Sequence, residues 1–161
     1  MSTQRSRATR RIVRASAALA LGVIGLAAAT AALAEEGQVT QGDFRAFATG
    51  AGLNISGHAK MVRTADGKTI VSVHVEGLQP DTTYGSHVHQ QACGVGDADG
   101  HYRFDPSGAA APPNEIWPGF TTNFAGMGNG RAVVDQTAGA AAVSVVVHAP
   151  GGAKIACADL D

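Results

Sequence analysis

The sequence predicts an all-β fold, a Greek-key β-barrel or sandwich with long loops around a functional site. Three observations predict it. Short runs rich in Val, Ile and Thr alternate in polarity with a period of two, Gly, Pro, Asn and Asp recur between these runs, and no long stretch has helical periodicity. Short strands separated by frequent turn residues are typical of β-sandwiches and Greek-key barrels.

The clearest strand is TIVSVHVE, residues 69–76. One face of it carries Ile70, Ser72, His74 and Glu76, and the other carries Thr69, Val71, Val73 and Val75. This alternation predicts an antiparallel strand with one buried face. The preceding ADGK, residues 65–68, predicts a hairpin turn in which Asp-Gly supplies the positive φ angles.

Similar runs predict further strands at residues 53–62, 130–135 and 143–148. The least regular stretch, residues 94–128, holds four of the six Pro residues and many Gly and Ala. It predicts long loops, which is where a rigid scaffold usually carries its functional residues.

The first 34 residues have the pattern of a secretory signal peptide. Five Arg and no acid precede an apolar run that ends in Ala32-Leu33-Ala34, so we expect cleavage after Ala34 and export of residues 35–161. The run is long enough that an uncleaved membrane anchor is the alternative. Arg10-Arg11 leaves the choice between Sec and twin-arginine export open.

Charge and length restrict the exported part. Removing five Arg leaves seven basic residues against 13 acidic ones, a net charge of about −6. An acidic domain of this kind is a poor nucleic-acid binder, and no membrane association is expected after cleavage. Residues 35–161 suit one domain with its own core. The oligomeric state stays open.

Two cysteines, Cys93 and Cys157, remain in the expected exported domain. An even number of cysteines in an oxidising compartment favours a disulfide, and two free buried thiols are the alternative. A bridge between them would stabilise the fold by about 4 kcal/mol in the chain-entropy model.

Histidines are the candidate metal ligands. His87 and His89, in GSHVH, would project from the same face of a strand, close enough to share an ion. His148 ends a predicted strand nine residues before Cys157, so a disulfide would draw it towards His89, and His101 lies in the loop after Cys93. Imidazoles alone suit Cu²⁺ or Zn²⁺.

Five ordered motifs resemble the copper/zinc superoxide dismutase family. They are GSHVH, Cys93 in its loop, DGHYRFDP (residues 99–106), VVVH (residues 145–148) and GAKIAC (residues 152–157). The resemblance runs from about Ile55 to the C-terminus. It implies a Greek-key β-barrel with copper held by His87, His89, His101 and His148, and a disulfide between Cys93 and Cys157.

The resemblance also implies an activity, the conversion of superoxide to oxygen and hydrogen peroxide at a redox-cycling copper ion. His101 resembles the family's bridging ligand, which would carry one proton. Lys154 stands where the family has an arginine that attracts superoxide, and it keeps the charge without the planar guanidinium. His58 and His74 match no ligand motif and are interpreted as ordinary strand residues.

The zinc ligands of the family have no clear counterpart here. No histidine lies between His101 and His148, and Glu115 and Gly119 stand near where a histidine and an aspartate are expected. His101 with Asp105 or Glu115 cannot readily complete a tetrahedral zinc site, so a copper-only centre is predicted, with at most a weak second ion.

Two other functions stay open on the sequence alone. A copper-binding or copper-delivery protein without catalysis would also lack zinc ligands and would tolerate Lys154. A structural secreted β-sandwich would carry its histidines incidentally.

Overall fold

The computed structural model describes residues 37–161, which form nine β-strands and one turn of 3-10 helix at Ala48–Gly50. The all-β prediction is therefore confirmed. The predicted signal peptide, residues 1–34, and its alternative as an anchor lie outside the described residues. Among residues 37–161, no helix has the length and hydropathy needed to cross a membrane. The strands are β1 (Gln38–Asp43), β2 (Arg45–Ala46), β3 (Ser56–Arg63), β4 (Thr69–Glu76), β5 (Thr83–His89), β6 (Phe120–Thr121), β7 (Gly128–Val134), β8 (Ser144–His148) and β9 (Lys154–Asp159).

The strands form two antiparallel sheets. One has the order β1-β3-β4-β7 and the other has the order β2-β9-β8-β5-β6. The chain passes from one sheet to the other after β1, β2, β4, β6 and β7, while β4 pairs with β7 and β5 pairs with β8. Such pairing of strands that are not consecutive is the Greek-key arrangement that the sequence predicts.

The hydrophobic core lies between the inner faces of the sheets. Along β4, Val71, Val73 and Val75 are buried while the alternate residues are partly exposed, as the period-two pattern predicts. Val88 of β5 and Val145 of β8 contribute from the other sheet. In β4, alternation alone therefore orients the strand, because a slip of one residue would place valines in water.

Strand bounds differ from the sequence predictions mainly at the edges. β4 has the predicted bounds, and residues 94–128 are mostly loop but include the short strand β6. Strand β1 was not anticipated, because its polar residues at the sheet edge give no alternation of hydrophobicity. In the turn before β4, Gly67 has a positive φ angle and Asp66 does not, so the prediction for Asp66 was wrong.

A disulfide between Cys93 and Cys157 attaches the loop after β5 to strand β9. Ala98 of this loop packs with Cys157 and with Val146 of β8 in a second, small buried cluster. The loop thus covers the outer face of the five-stranded sheet, and all five residues of β8 are buried. On that face His89 and His148 are buried, and His87 is partly exposed.

Candidate metal centre

Three of the predicted ligands project from the outer face of the five-stranded sheet. On β5, Ser86 and Val88 face the core, so His87 and His89 face outward. His148 ends β8 directly opposite Gly85, which lies two residues before His87 on β5. The imidazoles of His87 and His148 have a centroid separation of 4.7 Å.

His101 reaches the same place through a short pairing of its loop with the end of β5. It forms a β-bridge with His89. The Gln90 amide donates to the Gly100 carbonyl at 3.1 Å, and the Tyr102 amide donates to the Val88 carbonyl at 2.8 Å. The backbone therefore sets the position of His101, which is more restrained than its flexible-loop sequence suggests.

Together the four residues form one cluster, called the histidine cluster below: His87, His89, His101 and His148. One ring nitrogen from each lies within 4.8 Å of the others. This spread is close to the separation of about 4 Å between opposite nitrogens bound to one ion. The structure thus brings together all four predicted ligands, although they come from three separate parts of the chain.

Hydrogen bonds fix the tautomers of three rings. His89 Nδ1 donates to the Asp99 carbonyl at 3.1 Å, and His148 Nδ1 donates to the Gly152 carbonyl at 3.0 Å. His101 Nδ1 lies 2.7 Å from Glu115 Oε2. A proton on each Nδ1 leaves a lone pair on each Nε2, which is the arrangement found in metal-binding histidines.

Two observations indicate that these nitrogens fit a metal ion. His89 Nε2 and His148 Nε2 lie 3.3 Å apart, and two lone pairs at that distance repel unless a cation separates them. His87 Nδ1 is buried and has no hydrogen-bond partner among the described residues. A buried polar atom of this kind is costly to leave unpaired, and a metal ion would satisfy it.

Three of the rings, those of His87, His89 and His148, have a lowered pKa and stay neutral at neutral pH. Burial, together with the neighbouring imidazoles, lowers the pKa of both His87 and His89 to about 3. Burial also lowers the pKa of His148, with smaller effects of His101 and Lys154. Neutral imidazoles need not lose a proton before binding a metal ion, so the site is prepared for one at neutral pH.

Glu115 is the functional candidate whose role the sequence did not indicate. Its carboxylate is 1% exposed and accepts hydrogen bonds from His101 Nδ1 and, at 2.8 Å, from Trp117 Nε1, while Arg103 Nε lies 3.3 Å from the other oxygen. Burial alone would raise the pKa of Glu115, but the bonds from His101 and Trp117 outweigh it and the net pKa is lowered. A single acid within an apolar, Pro-containing stretch is the sequence signal that could have found it.

Trp117 and Arg103 complete the surroundings of this carboxylate. The Trp117 ring lies 5.0 Å from the ring of His87, and the residue is 40% exposed, so it borders the open side of the cluster. Arg103 also donates to the Pro106 carbonyl at 3.1 Å. Because Arg103 Nε lies 3.3 Å from Glu115 Oε1, the guanidinium charge faces this carboxylate.

Lys154 lies at the start of β9, opposite His148 in the strand pairing. Its Nζ donates to the carbonyls of Asp97 and Asp99, both at 2.7 Å. The positive charge is near enough to lower the pKa of His89 and His148, after the larger effect of burial. Lys154 thus combines a contact with the loop and a positive potential beside the cluster.

The other two histidines, His58 and His74, lie on the four-stranded sheet and take no part in the cluster. Position 74 is partly exposed on the outer face, as its alternation predicts.

Comparison with protein-family models finds no match, and neither does comparison with curated proteins. Solved structures are similar. A glutamate-to-glutamine mutant of Candida albicans superoxide dismutase 5 matches with a TM-score of 0.54 and 18% identity, over 78% of this chain and 91% of that one. The Cu(II) form of Candida albicans superoxide dismutase 5 matches with a TM-score of 0.53 and 19% identity, over 76% and 90%. In its fold, this chain therefore resembles the superoxide dismutases.

Proposed function

We propose that the protein is a copper-only superoxide dismutase, in which His87, His89, His101 and His148 bind the ion. The observation that carries the proposal is the convergence of four imidazoles, with their ring nitrogens within 4.8 Å of one another, on a fold similar to a Cu(II) superoxide dismutase. Copper would supply an ion that takes an electron from one superoxide and gives it to the next. Two superoxide ions and two protons then yield oxygen and hydrogen peroxide.

The contact of Glu115 with His101 supports one ion rather than two. A histidine that bridges two metals must offer both ring nitrogens, but His101 Nδ1 is bonded to Glu115 Oε2 at 2.7 Å. That carboxylate is itself engaged by Trp117 and flanked by Arg103. The proposed centre therefore contains copper and no zinc. Any zinc would bind weakly and outside this centre.

His101 is the residue proposed to handle a proton. Its side chain is 29% exposed, so solvent can deliver a proton to Nε2, whereas His89 is fully buried. The Glu115 carboxylate accepts a hydrogen bond from Nδ1, which leaves Nε2 as the nitrogen proposed to take up the proton. The residue could then pass the proton to the peroxide product.

Lys154 is proposed to attract the anionic substrate. The exported domain is acidic overall, with a net charge of about −6 from seven basic and 13 acidic residues, so a local positive group is needed beside the cluster. Lys154 is positioned for this by its place opposite His148.

Export of residues 35–161 after cleavage of the signal peptide is part of the proposal. The disulfide between Cys93 and Cys157 supports it, because such bonds persist in oxidising compartments. The periplasm, the cell surface and the extracellular medium all satisfy this condition.

The proposal is tested by loading the metal-free protein with copper and measuring superoxide decay by pulse radiolysis. Near-diffusional turnover, together with a copper spectrum at one ion per chain, is the expected result. Stoichiometric copper with slow turnover would indicate a copper-binding or copper-delivery protein, and the absence of a copper spectrum would contradict both functions.

Metal analysis by inductively coupled plasma spectrometry tests the copper-only part. The protein is purified without added metal, and copper without an equivalent amount of zinc is expected. One zinc per copper would contradict the proposal for a single-metal centre.

A further inference from the structure

A row of apolar side chains crosses the outer face of the four-stranded sheet. In the strand pairing, one such residue from each strand lies opposite the next: Val39 (β1), Val62 (β3), Ile70 (β4) and Val133 (β7). Residues paired in this way project from the same face of a sheet, so the four side chains are neighbours. They are called the apolar row below.

The apolar row is in contact with solvent in a single copy of the chain. Val39 is 50% exposed and Val133 is 47% exposed, while Val62 and Ile70 are partly exposed. Because neighbouring strands lie about 4.8 Å apart, the row is about 14 Å long. Apolar side chains that are exposed side by side, rather than singly, mark surfaces at which proteins associate.

Side chains of opposite charge flank the row at its β7 end. Arg131 precedes Val133 by two residues, and Asp135 follows it by two residues, just beyond the end of the strand. Alternation therefore places each of them about 7 Å from the row, on opposite sides of it. Among residues 37–161, Arg131 has no ion-pair partner, and Asp135 is 86% exposed with an exposed ion pair to Lys68.

These charges are complementary to a second copy of the same chain. In a two-fold dimer whose axis runs along the apolar row, each residue of the row packs against its equivalent in the other copy. The rotation exchanges the two sides of the row, so Arg131 of one copy faces the partner's Asp135, and this contact occurs twice. Two sheets that pack face to face in this way keep their strand directions nearly aligned.

We propose that the apolar row, with Arg131 and Asp135 beside it, is the interface of a symmetric homodimer. Dimerisation would remove the row of each copy from water, and the two Arg131–Asp135 contacts would fix the register. The row is small for a permanent complex, so the dimer is expected to form reversibly at micromolar or higher concentrations. The histidine cluster lies on the five-stranded sheet, away from this interface.

Sedimentation equilibrium over a range of protein concentrations tests the proposal. The expected result is a monomer–dimer equilibrium for the unchanged protein. Val133→Lys should weaken dimerisation at least about tenfold, because it places two like charges within the interface. Val95→Lys is the matched control, since Val95 is 53% exposed in the loop that covers the other sheet and its substitution should leave the equilibrium unchanged.

A charge exchange tests the orientation of the two copies. Arg131→Asp and Asp135→Arg should each weaken the dimer, because each places like charges opposite each other in both contacts. The double variant should restore dimerisation, because every arginine then faces an aspartate again.

Circular dichroism shows whether each variant is folded. The proposal would be wrong if the unchanged protein stayed monomeric at every concentration, if folded Val133→Lys dimerised equally well, or if Val95→Lys weakened the dimer as much. A double variant no more dimeric than Arg131→Asp would contradict the contact between Arg131 and Asp135. Failure of the proposed function is seen separately, in copper binding and superoxide turnover, which Val133→Lys should leave unchanged.

Discussion

At the scale of single residues, the buried Glu115 carboxylate connects His101 to Trp117 through hydrogen bonds. A buried charge is costly unless it is paired and hydrogen-bonded, and Glu115 has both His101 and Trp117 as partners. A carboxylate on the far nitrogen of a metal-binding histidine fixes the tautomer and raises the basicity of the other nitrogen. Glu115 would therefore prepare His101 as a ligand of the proposed copper ion.

Glu115→Gln keeps the shape of the side chain and removes its charge. We expect the copper affinity of the proposed site to fall by about 10–100-fold, as is typical when the partner of a ligating histidine is lost. Competition with a chromophoric chelator measures it. Asp135→Asn is the matched control, because Asp135 is an exposed carboxylate 3.5 Å from Lys68 Nζ and should not affect copper. Equal affinity in Glu115→Gln and the unchanged protein would show that His101 does not depend on this carboxylate.

At the scale of elements, the loop of residues 94–100 has no regular structure, but its carbonyls accept hydrogen bonds from His89 and Lys154. Asp97, Ala98 and Asp99 all have positive φ angles, which are unfavourable for these residue types. The disulfide holds one end of the loop, the bridge of His101 with His89 holds the other, and Lys154 binds its carbonyls. Since His89 donates to the same loop, its orientation depends on all three attachments.

Reduction of the disulfide should destabilise the protein and loosen this loop. The bond spans 64 residues, and its loss should lower the free energy of unfolding by about 2–4 kcal/mol. Urea unfolding with and without reductant measures the change. The chain has two cysteines and both are in this bond, so the reductant acts at one place. A Cys93→Ser/Cys157→Ser variant should match the reduced protein, and an unchanged midpoint would contradict the role of the bridge.

Lys154 has two proposed effects: it binds the carbonyls of the loop, and it attracts the anionic substrate. Paired substitutions test the second effect. Lys154→Met should slow superoxide turnover and reduce its dependence on salt, because the local positive potential is lost. Lys154→Arg keeps the charge and should retain both the rate of superoxide turnover and its dependence on salt. Pulse radiolysis over a range of ionic strength is the measurement. If Lys154→Met left the rate and its salt dependence unchanged, the attraction of the substrate would have to come from other residues.

At the scale of the whole molecule, burial under the loop on the outer face of the five-stranded sheet keeps the imidazoles of His87 and His89 in their neutral form. The folded-state pKa of His87 and of His89 is about 3, below the ordinary value of 6.5. Between pH 6.5 and about 3 the unfolded chain therefore binds more protons than the folded one. Acid favours unfolding over that range, and the stabilisation from the neutral rings is fully present above it.

The metal-free protein should lose on the order of 2 kcal/mol or more of its free energy of unfolding between pH 7 and pH 4. Urea unfolding at several pH values measures it. His87→Gln, which carries one titrating group fewer, should show a shallower pH dependence than the unchanged protein. Equal stability at pH 4 and pH 7 would mean that the rings are not held neutral by the fold.

Local patterns in the sequence were sufficient for the fold class and for the candidate ligands. Alternating polarity predicted β4 with its correct bounds, and the disulfide between Cys93 and Cys157 is confirmed. The four predicted histidines do converge. These features succeed because strand period, cysteine number and imidazole chemistry depend on residue type and near neighbours alone.

What only the tertiary structure decided are contacts between distant segments. In the sequence, Glu115 stands near a position where the family has a zinc ligand. In the structure, its loop lies beside His101, and Glu115 accepts a hydrogen bond from that ring. The pairing of β3 with β4 likewise places His58 opposite His74. Alternation of polarity alone could not predict this pairing. Such contacts depend on strand register and loop path, and these are fixed by the packing of the whole sandwich rather than by any short stretch of sequence.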